Sequence, residues 1–462
     1  MTEVDMREPG RVTAKETSVF PRLFDLDYPL VVSGEGVRLH LADGREILDA
    51  SSGGAMVTCL GHGVPEVVAA AAAQAEKIAY MYAHFFTNEP HEELARRLVD
   101  LAPGMARVRF VSGGSEANET MLRLARQFHV DRGEPDRWRI VSPAQAYHGA
   151  TMGTLALTGR PGLQTPFEDY LASTLHIGPI MARDDPDGTR ALGELDRVLE
   201  ATGPSTVAAF VCEPVGAAAL PASTASDSFW KGLDERRRRH GFLVCFDEIV
   251  TGIGRTGTWF AYEQIPIVPD VVTIGKGLGA GYAPLAATLC QAHVFDTIAA
   301  GSKEFEHGHT WDGAPLPCAV GLAVLDYLAS RSLVERVRER GPRLREELEH
   351  AVNGRTLVRE VRGRGFLLGV EIVDPRDGRS LLPPWIDVAE LIDSTCERQG
   401  LLVTSSHSSL DGMVGDQTLL APAFTATDTD LAEMIARFAA ALAQVEHEVR
   451  DRLERDADGT AG

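Results

Sequence analysis

Asp270-Val-Val-Thr-Ile-Gly-Lys-Gly-Leu-Gly-Ala-Gly281 is a β-branched run broken by glycines, and it carries Lys276, one of only five lysines in a chain of 462 residues. The run reads as a buried strand that ends at Gly275 and leaves a primary amine at the mouth of a sheet, on backbone that a bulky group can approach closely. Most lysines are solvated surface charges. Here the flanks are small and apolar, and suitable partners lie upstream. An amine so placed could form a Schiff base.

Working outward, the apolar run Gly241-Phe-Leu-Val-Cys-Phe246 is closed by Asp247 and followed by Glu248-Ile-Val-Thr-Gly-Ile-Gly-Arg-Thr-Gly257. A carboxylate at the carboxyl end of a buried strand lies where open α/β sheets bind ligands. It could keep a pyridinium nitrogen protonated. Taken alone, it reads as a helix N-cap or turn aspartate. Further upstream, Ser112-Gly-Gly-Ser-Glu-Ala-Asn118 follows the run Arg107-Val-Arg-Phe-Val111 and opens a helical pattern with Met121, Leu122, Leu124 and Ala125. Small residues at such a junction can aim N–H groups and hydroxyls at a phosphate. Ser115 could equally be an ordinary N-cap, with Asn118 and Glu119 decorating the first turn. Tyr147, in Ala146-Tyr-His-Gly149, could stack on a planar ring or simply pack beside a turn.

As a set, these residues resemble the class III, or omega, aminotransferases, which are pyridoxal-phosphate enzymes of fold type I. The likeness covers residues 41–424. It is carried by Ser112-Gly-Gly-Ser-Glu-Ala-Asn-Glu119, Tyr147-His-Gly149, Glu213-Pro-Val215, Phe246-Asp-Glu-Ile-Val-Thr-Gly-Ile-Gly-Arg-Thr-Gly257, Ile274-Gly-Lys-Gly277 and Gly308-His-Thr310. The resemblance implies that Lys276 and Asp247 are catalytic. Lys276 would hold pyridoxal 5'-phosphate as a Schiff base, and Asp247 would hold its ring nitrogen. Gly114 and Ser115 would bind the phosphate, while Tyr147 and Ile249 would press the two ring faces. His148 and Glu213 would complete the cofactor contacts. Thr310 would reach the phosphate of a neighbouring subunit, which implies a homodimer with shared active sites. Met56 and Phe86 fall near the substrate pocket, and Arg160 is a candidate carboxylate binder. No metal is implied.

The composition suits such an enzyme. With 44% hydrophobic residues the chain can bury a large core and exceeds the usual size of one domain. A formal net charge of −21 argues against nucleic acid or an anionic membrane surface as partner. The resemblance implies a small-molecule amine donor and a carbonyl acceptor as partners instead. Cys59, Cys212, Cys245, Cys290, Cys318 and Cys396 show no CxxC spacing and read as core thiols of a reducing compartment. The N-terminal segment is polar, and no apolar stretch reaches about eighteen residues. A cytoplasmic protein is expected. The cluster Arg236-Arg-Arg-Arg-His240 precedes Gly241 and reads as the basic end of a helix.

The fold class expected is α/β: a large domain with a mostly parallel sheet flanked by helices, plus a smaller α+β domain. Residues 1–60 form an N-terminal segment packing with the small domain, 61–325 the large cofactor-binding domain, and 326–462 the small C-terminal domain. A hairpin is expected around Asp43-Gly44, a helix from Pro65 through Lys77, and strands through Phe110, Val141, Phe210, Val244 and Val272. Only residues 451–462 read as a disordered tail.

The reaction expected is transfer of an amino group from a primary amine or omega-amino acid to a keto acid or aldehyde, in ping-pong fashion. The alternative on the same fold is an amino-acid racemase, epimerase or decarboxylating enzyme. Many omega aminotransferases carry a mobile arginine for carboxylates, but the corresponding stretch here, Ser409-Leu-Asp-Gly-Met-Val-Gly-Asp416, has none. A non-catalytic regulator would need a basic DNA-binding domain that this acidic chain lacks.

Overall fold

The computed structural model describes residues 10–13, 17–406 and 415–457. Its centre is a seven-stranded sheet: β1 (Met105–Val111), β2 (Arg139–Pro143), β3 (Leu175–Ile177), β4 (Val207–Cys212), β5 (Leu243–Glu248), β6 (Val271–Ile274) and β7 (Ala286–Gln291). The spatial order is β1-β7-β6-β5-β4-β2-β3, and only β7 runs antiparallel to its neighbours. The expected strands through Phe110, Val141, Phe210, Val244 and Val272 are β1, β2, β4, β5 and β6.

Strands β4, β5 and β6 are buried along their whole length, because helices cover both faces of the sheet. Alternate residues take opposite sides. Ala209, Val211, Leu243 and Cys245 pack against Met121, Leu124 and Phe128 of the helix Gly114–Asp131. Phe210, Val244 and Phe246 face the other way, into a core with Phe229, Trp230 and Leu233 of the helix Asp227–His240. That second helix ends as its sequence indicates, with Arg237 to His240 in the last turn and Gly241 left-handed at φ 76°.

Two four-stranded sheets flank this centre. One is an antiparallel array of Val358–Arg364, Leu367–Ile372, Gln417–Leu420 and Thr404–Ser406. The other joins the N-terminal hairpin, Arg38–Leu41 with Glu46–Asp49, to Val31–Glu35 and to Leu401–Leu402, whose Leu401 pairs with Leu48. The hairpin turns at Gly44, φ 86°, and the alanine-rich helix spans Pro65–Lys77 as expected.

The tail reading needs correction. The last helix runs Asp428–Ala457, well into the segment expected to be disordered. Leu453 extends the apolar stripe of Val445 and Val449 into the core, and Arg452 pairs with Glu448 while donating to the Ile386 carbonyl. Residues 458–462 lie outside the described residues, as do 407–414, which hold most of the stretch without an arginine. Among the described residues no single helix is long and apolar enough to cross a membrane. All six cysteines are free and buried.

Candidate active site

Because β1, β2, β4, β5 and β6 run the same way, the residues that follow or close them gather at one edge of the sheet. Gly114 and Ser115 follow β1, Tyr147 and His148 follow β2, Glu213 follows β4, Asp247 is the second-to-last residue of β5, and Lys276 follows β6. All of these line one cavity of about 170 Å³, with Asn118, Ala218, Ile249 and Val250 also in its wall. The sheet topology thus unites five segments, from Gly114 to Lys276, as the strand-edge argument requires.

Lys276 sits at φ 40°, a left-handed conformation rare for a side-chain-bearing residue, between the extended Gly275 and a short helical turn. Backbone strain of this kind is held in place by surrounding structure. Burial keeps its ammonium below the ordinary lysine range, against the pull of the Asp247 and Glu213 carboxylates. A neutral amine, hence a nucleophile and base, is correspondingly easier to reach at neutral pH.

Asp247 is 5% exposed and held from three sides. Its Oδ2 accepts from His148 Nδ1 at 2.8 Å and from Asn118 Nδ2 at 2.7 Å, and its Oδ1 accepts from the Ile249 N–H at 3.0 Å. Burial opposes the His148 imidazolium, but the Asp247 carboxylate prevails and raises the ring above the ordinary histidine range. The Asn118 amide also donates to the His148 carbonyl at 2.7 Å, and its oxygen accepts from Thr273 Oγ1 of β6 at 2.7 Å. Asn118 is the site residue that sequence reasoning missed. It looks like first-turn decoration, yet it is fully buried and ties Asp247 to both neighbouring segments.

Glu213 accepts from the Ala217 N–H at 3.0 Å, and more weakly from the Tyr147 N–H at 3.4 Å. Burial pushes its carboxyl up to about 7; His148 pulls it down and Asp247 pushes it up. At the other end of the cavity the helix Gly114–Asp131 begins without a side-chain cap. Its neighbourhood is built tight: a Cβ on Gly114 would stand 2.9 Å from Ile249 Cγ2, and one on Gly149 2.5 Å from Ser115 Oγ. Ser115 Oγ also accepts from the Ala150 N–H at 3.0 Å.

These residues fit pyridoxal 5'-phosphate. An uncapped helix N-terminus with a serine suits the phosphate, a fixed carboxylate suits a pyridinium nitrogen, a half-buried amine suits the carbonyl carbon, and glycines let the backbone come close to a flat ring. Ile249 and Tyr147 both line the cavity between these groups.

The remaining candidates lie elsewhere. Thr310 is exposed, and its carbonyl accepts from the Tyr80 hydroxyl at 2.9 Å. Met56 is buried behind Val250, in a cluster with Val215, Ala217 and Leu367. Phe86 is 68% exposed. Arg160 precedes the short helix Pro161–Gln164. None of these four lines the cavity.

Comparison with known proteins is consistent with this geometry. The sequence profile of the family described as "Aminotransferase class-III" matches residues 26–442. An uncharacterized aminotransferase of Bacillus subtilis, YodT, is 35% identical over 431 residues, 92% of this chain and 97% of that protein. Among solved structures, a thermostable (S)-enantioselective omega-transaminase from Thermomicrobium roseum superposes with a TM-score of 0.84 at 34% identity, over 90% of this chain and 92% of its own. An amine transaminase from an uncultivated Pseudomonas species, solved in its PLP-bound form, gives 0.85 at 31% identity, over 93% and 97%.

Proposed function

The chain belongs to the class III aminotransferase family and is a pyridoxal 5'-phosphate-dependent enzyme of fold type I, and from that premise we propose that the cavity at the carboxyl edge of its sheet is the active site. Its reaction moves an amino group between a donor amine and a carbonyl acceptor. The donor we assign is a primary amine or omega-amino acid and the acceptor a keto acid or aldehyde, taken in turn by the same site. The single observation that carries this is the convergence of Lys276, Asp247, Ser115 and Tyr147 on one cavity.

When bound, the cofactor supplies an electron-withdrawing ring that accepts the electron pair left behind as a proton departs. The protein's own residues do the rest. Lys276 would anchor the cofactor and, once freed by a donor amine, its Nζ would act as the base that takes the proton from the donor carbon bearing the nitrogen. Its depressed proton affinity keeps that nitrogen available as a base. Asp247 holds a proton at the ring nitrogen, and His148 and Asn118 keep its carboxylate aimed. Gly114, Ser115 and the helix N-terminus take the phosphate. Tyr147 and Ile249 confine the ring, and Glu213 stands beside the ring substituents. The same residues could serve a racemase or a decarboxylating enzyme; the family match and the transaminase relatives favour amino transfer over those alternatives.

The same reading makes the enzyme a cytoplasmic homodimer. Thr310, exposed and off its own cavity, would meet the phosphate in a second subunit's site, and Phe86, likewise exposed, would face the substrate there. Met56 and Arg160 are assigned to the substrate side of the pocket, with Arg160 as carboxylate binder. Residues 61–325 would form the large domain and 326–462 the small one, with 1–60 packed against the latter.

The test is a single turnover. Purified holoenzyme is mixed with a panel of amines and amino acids, without a carbonyl acceptor, beside Lys276→Ala. Loss of the bound cofactor's visible absorption with release of one carbonyl equivalent per site is expected for primary amines in the parent enzyme alone. Unchanged absorption together with exchange of the alpha proton, or release of carbon dioxide, would overturn the assignment.

A further inference from the structure

The loop of residues 213–224 has two ends. Glu213 at one end lines the active-site cavity. Ser223 and Thr224 at the other line a separate groove of about 320 Å³, walled by residues 181–183 and by the strand Val358–Arg364.

Four guanidinium groups line that groove, those of Arg183, Arg345, Arg362 and Arg364, against a single carboxylate, Glu360. Glu360 is already taken by Arg362 at 2.7 Å and Arg183 at 3.3 Å, and both arginines also bind the buried Glu371. Those charges are balanced within the protein. The other two are not. Among the described residues Arg345 has only Glu349, an exposed partner one helical turn away at 3.3 Å, and such pairs are weak in water. Arg364 is half-buried and makes no ion pair or hydrogen bond among the described residues, with Asp227 the one carboxylate whose field reaches it. In a chain of net charge −21, a partly desolvated guanidinium left without an anion is out of keeping with its surroundings. Burying such a charge is costly unless something pairs with it.

We propose that this groove is an anion-binding site for the phosphate or carboxylate group of a small metabolite, with Arg364 and Arg345 as its ligands, and that its occupant is felt at the active site through the loop that carries Glu213. Arg guanidinium suits either oxyanion, since its planar fork of donors matches two oxygens at once. The groove volume falls within the range of small-molecule sites. The loop is a tight unit able to transmit a pull. Thr224 Oγ1 donates to the Pro214 carbonyl at 2.9 Å, and the Gly216 N–H donates to the Ser223 carbonyl at 2.7 Å. The Ala222 N–H donates to the Gly216 carbonyl at 2.8 Å, and Arg362 Nε, from the groove wall, donates to the Pro221 carbonyl at 2.9 Å. The coupling half of the proposal rests on the active-site reading above; the binding half does not.

The experiment is calorimetric titration of the holoenzyme, whose cofactor already fills the phosphate pocket, with inorganic phosphate and separately with citrate, in a buffer free of other oxyanions. Saturable heat from at least one anion is expected, weakened about tenfold or more in Arg364→Gln and severalfold in Arg345→Gln. Arg345 lies on the outer helix Leu333–Ala351, so the second variant keeps the test alive should the first fail to fold. Absence of saturable heat, or equal affinity in parent and variants, overturns the site. At saturating anion the donor KM should shift in the parent enzyme and not in Arg364→Gln; binding without such a shift overturns the coupling. Because calorimetry reads binding whether or not the enzyme turns over, failure of the catalytic reading and failure of this one are distinguishable.

Discussion

Asp247 and Arg255 lie eight positions apart in one glycine-rich segment, and both are buried charges, yet the protein treats them in opposite ways. Asp247 is held by an imidazole and an amide from elements packed on the same sheet edge, and it faces a cavity. Arg255 makes no ion pair with a carboxylate among the described residues. Its guanidinium donates to the carbonyls of Phe366 at 3.1 Å and Pro422 at 2.6 Å and to Ser52 Oγ at 3.0 Å, and it stacks over the Phe424 ring at 4.5 Å. Burial pulls it down to about 10, so it stays a cation at physiological pH. One charge faces a cavity; the other is a multi-donor clip joining three distant stretches of chain. A charge kept for chemistry needs partners that fix its direction and leave one face open, whereas a structural charge is used up in hydrogen bonds that tie chain segments together.

The contrast predicts a split between activity and stability. The largest effect is expected for Asp247→Asn, which keeps the shape but removes the charge proposed to hold a proton at the cofactor's ring nitrogen. kcat/KM should fall by roughly two to three orders of magnitude with little change in Tm; a loss under tenfold would mean that the carboxylate is only a structural cap. Arg255→Leu should do the reverse. Leaving the buried Phe366 and Pro422 carbonyls without donors should cost about 3 kcal/mol in denaturant unfolding, while kcat per cofactor-bearing site stays within about threefold. Equal damage to both quantities would erase the distinction between the two regions.

The smallest effect concerns Glu248, beside Asp247 but turned away from the cavity. Its carboxylate accepts from the N–H groups of Ala261 at 2.6 Å and Tyr262 at 2.9 Å and from Thr251 Oγ1 at 3.0 Å, and burial lifts its pKa from 4.5 to about 7. Its folded-state proton affinity exceeds the unfolded value, so its stabilising contribution is complete below pH 4.5 and is lost as pH climbs through 7. Glu248→Gln lacks this titration. The stability difference, variant minus parent, should therefore rise between pH 5 and 8 by up to about 2.5 kcal/mol. Parallel unfolding curves across that range would show that Glu248 is already ionised at pH 5 and that its three donors outweigh its burial.

The parts of this molecule legible in the sequence are those that local physics fixes. A continuous apolar run bounded by glycine or a charge can be little else than a buried strand, and a functional residue just beyond it inherits its place at the sheet edge. That rule put Lys276, Asp247, Tyr147 and the Ser112-to-Asn118 loop at strand ends, whereas Glu213 came only from the family resemblance. It also located Gly241 as a helix stop, since a left-handed residue after a basic last turn is a local matter. It failed at the C-terminus, where charged residues 451–456 disguise a helix anchored by one apolar side chain, Leu453.

What only the tertiary structure decided are the contacts between segments far apart in the chain. Asn118 meets Asp247 across 129 positions, and Arg255 meets Pro422 across 167. Neither partner can be read from its own neighbourhood, because a polar side chain in a helix or loop looks the same in sequence whether it faces water or a buried acceptor. The sequence by itself determined which groups stand at the ends of strands, through period and punctuation. Packing decided which buried charge would face a cavity and which would be consumed, because that depends on the donors and acceptors the rest of the fold brings within about 3 Å.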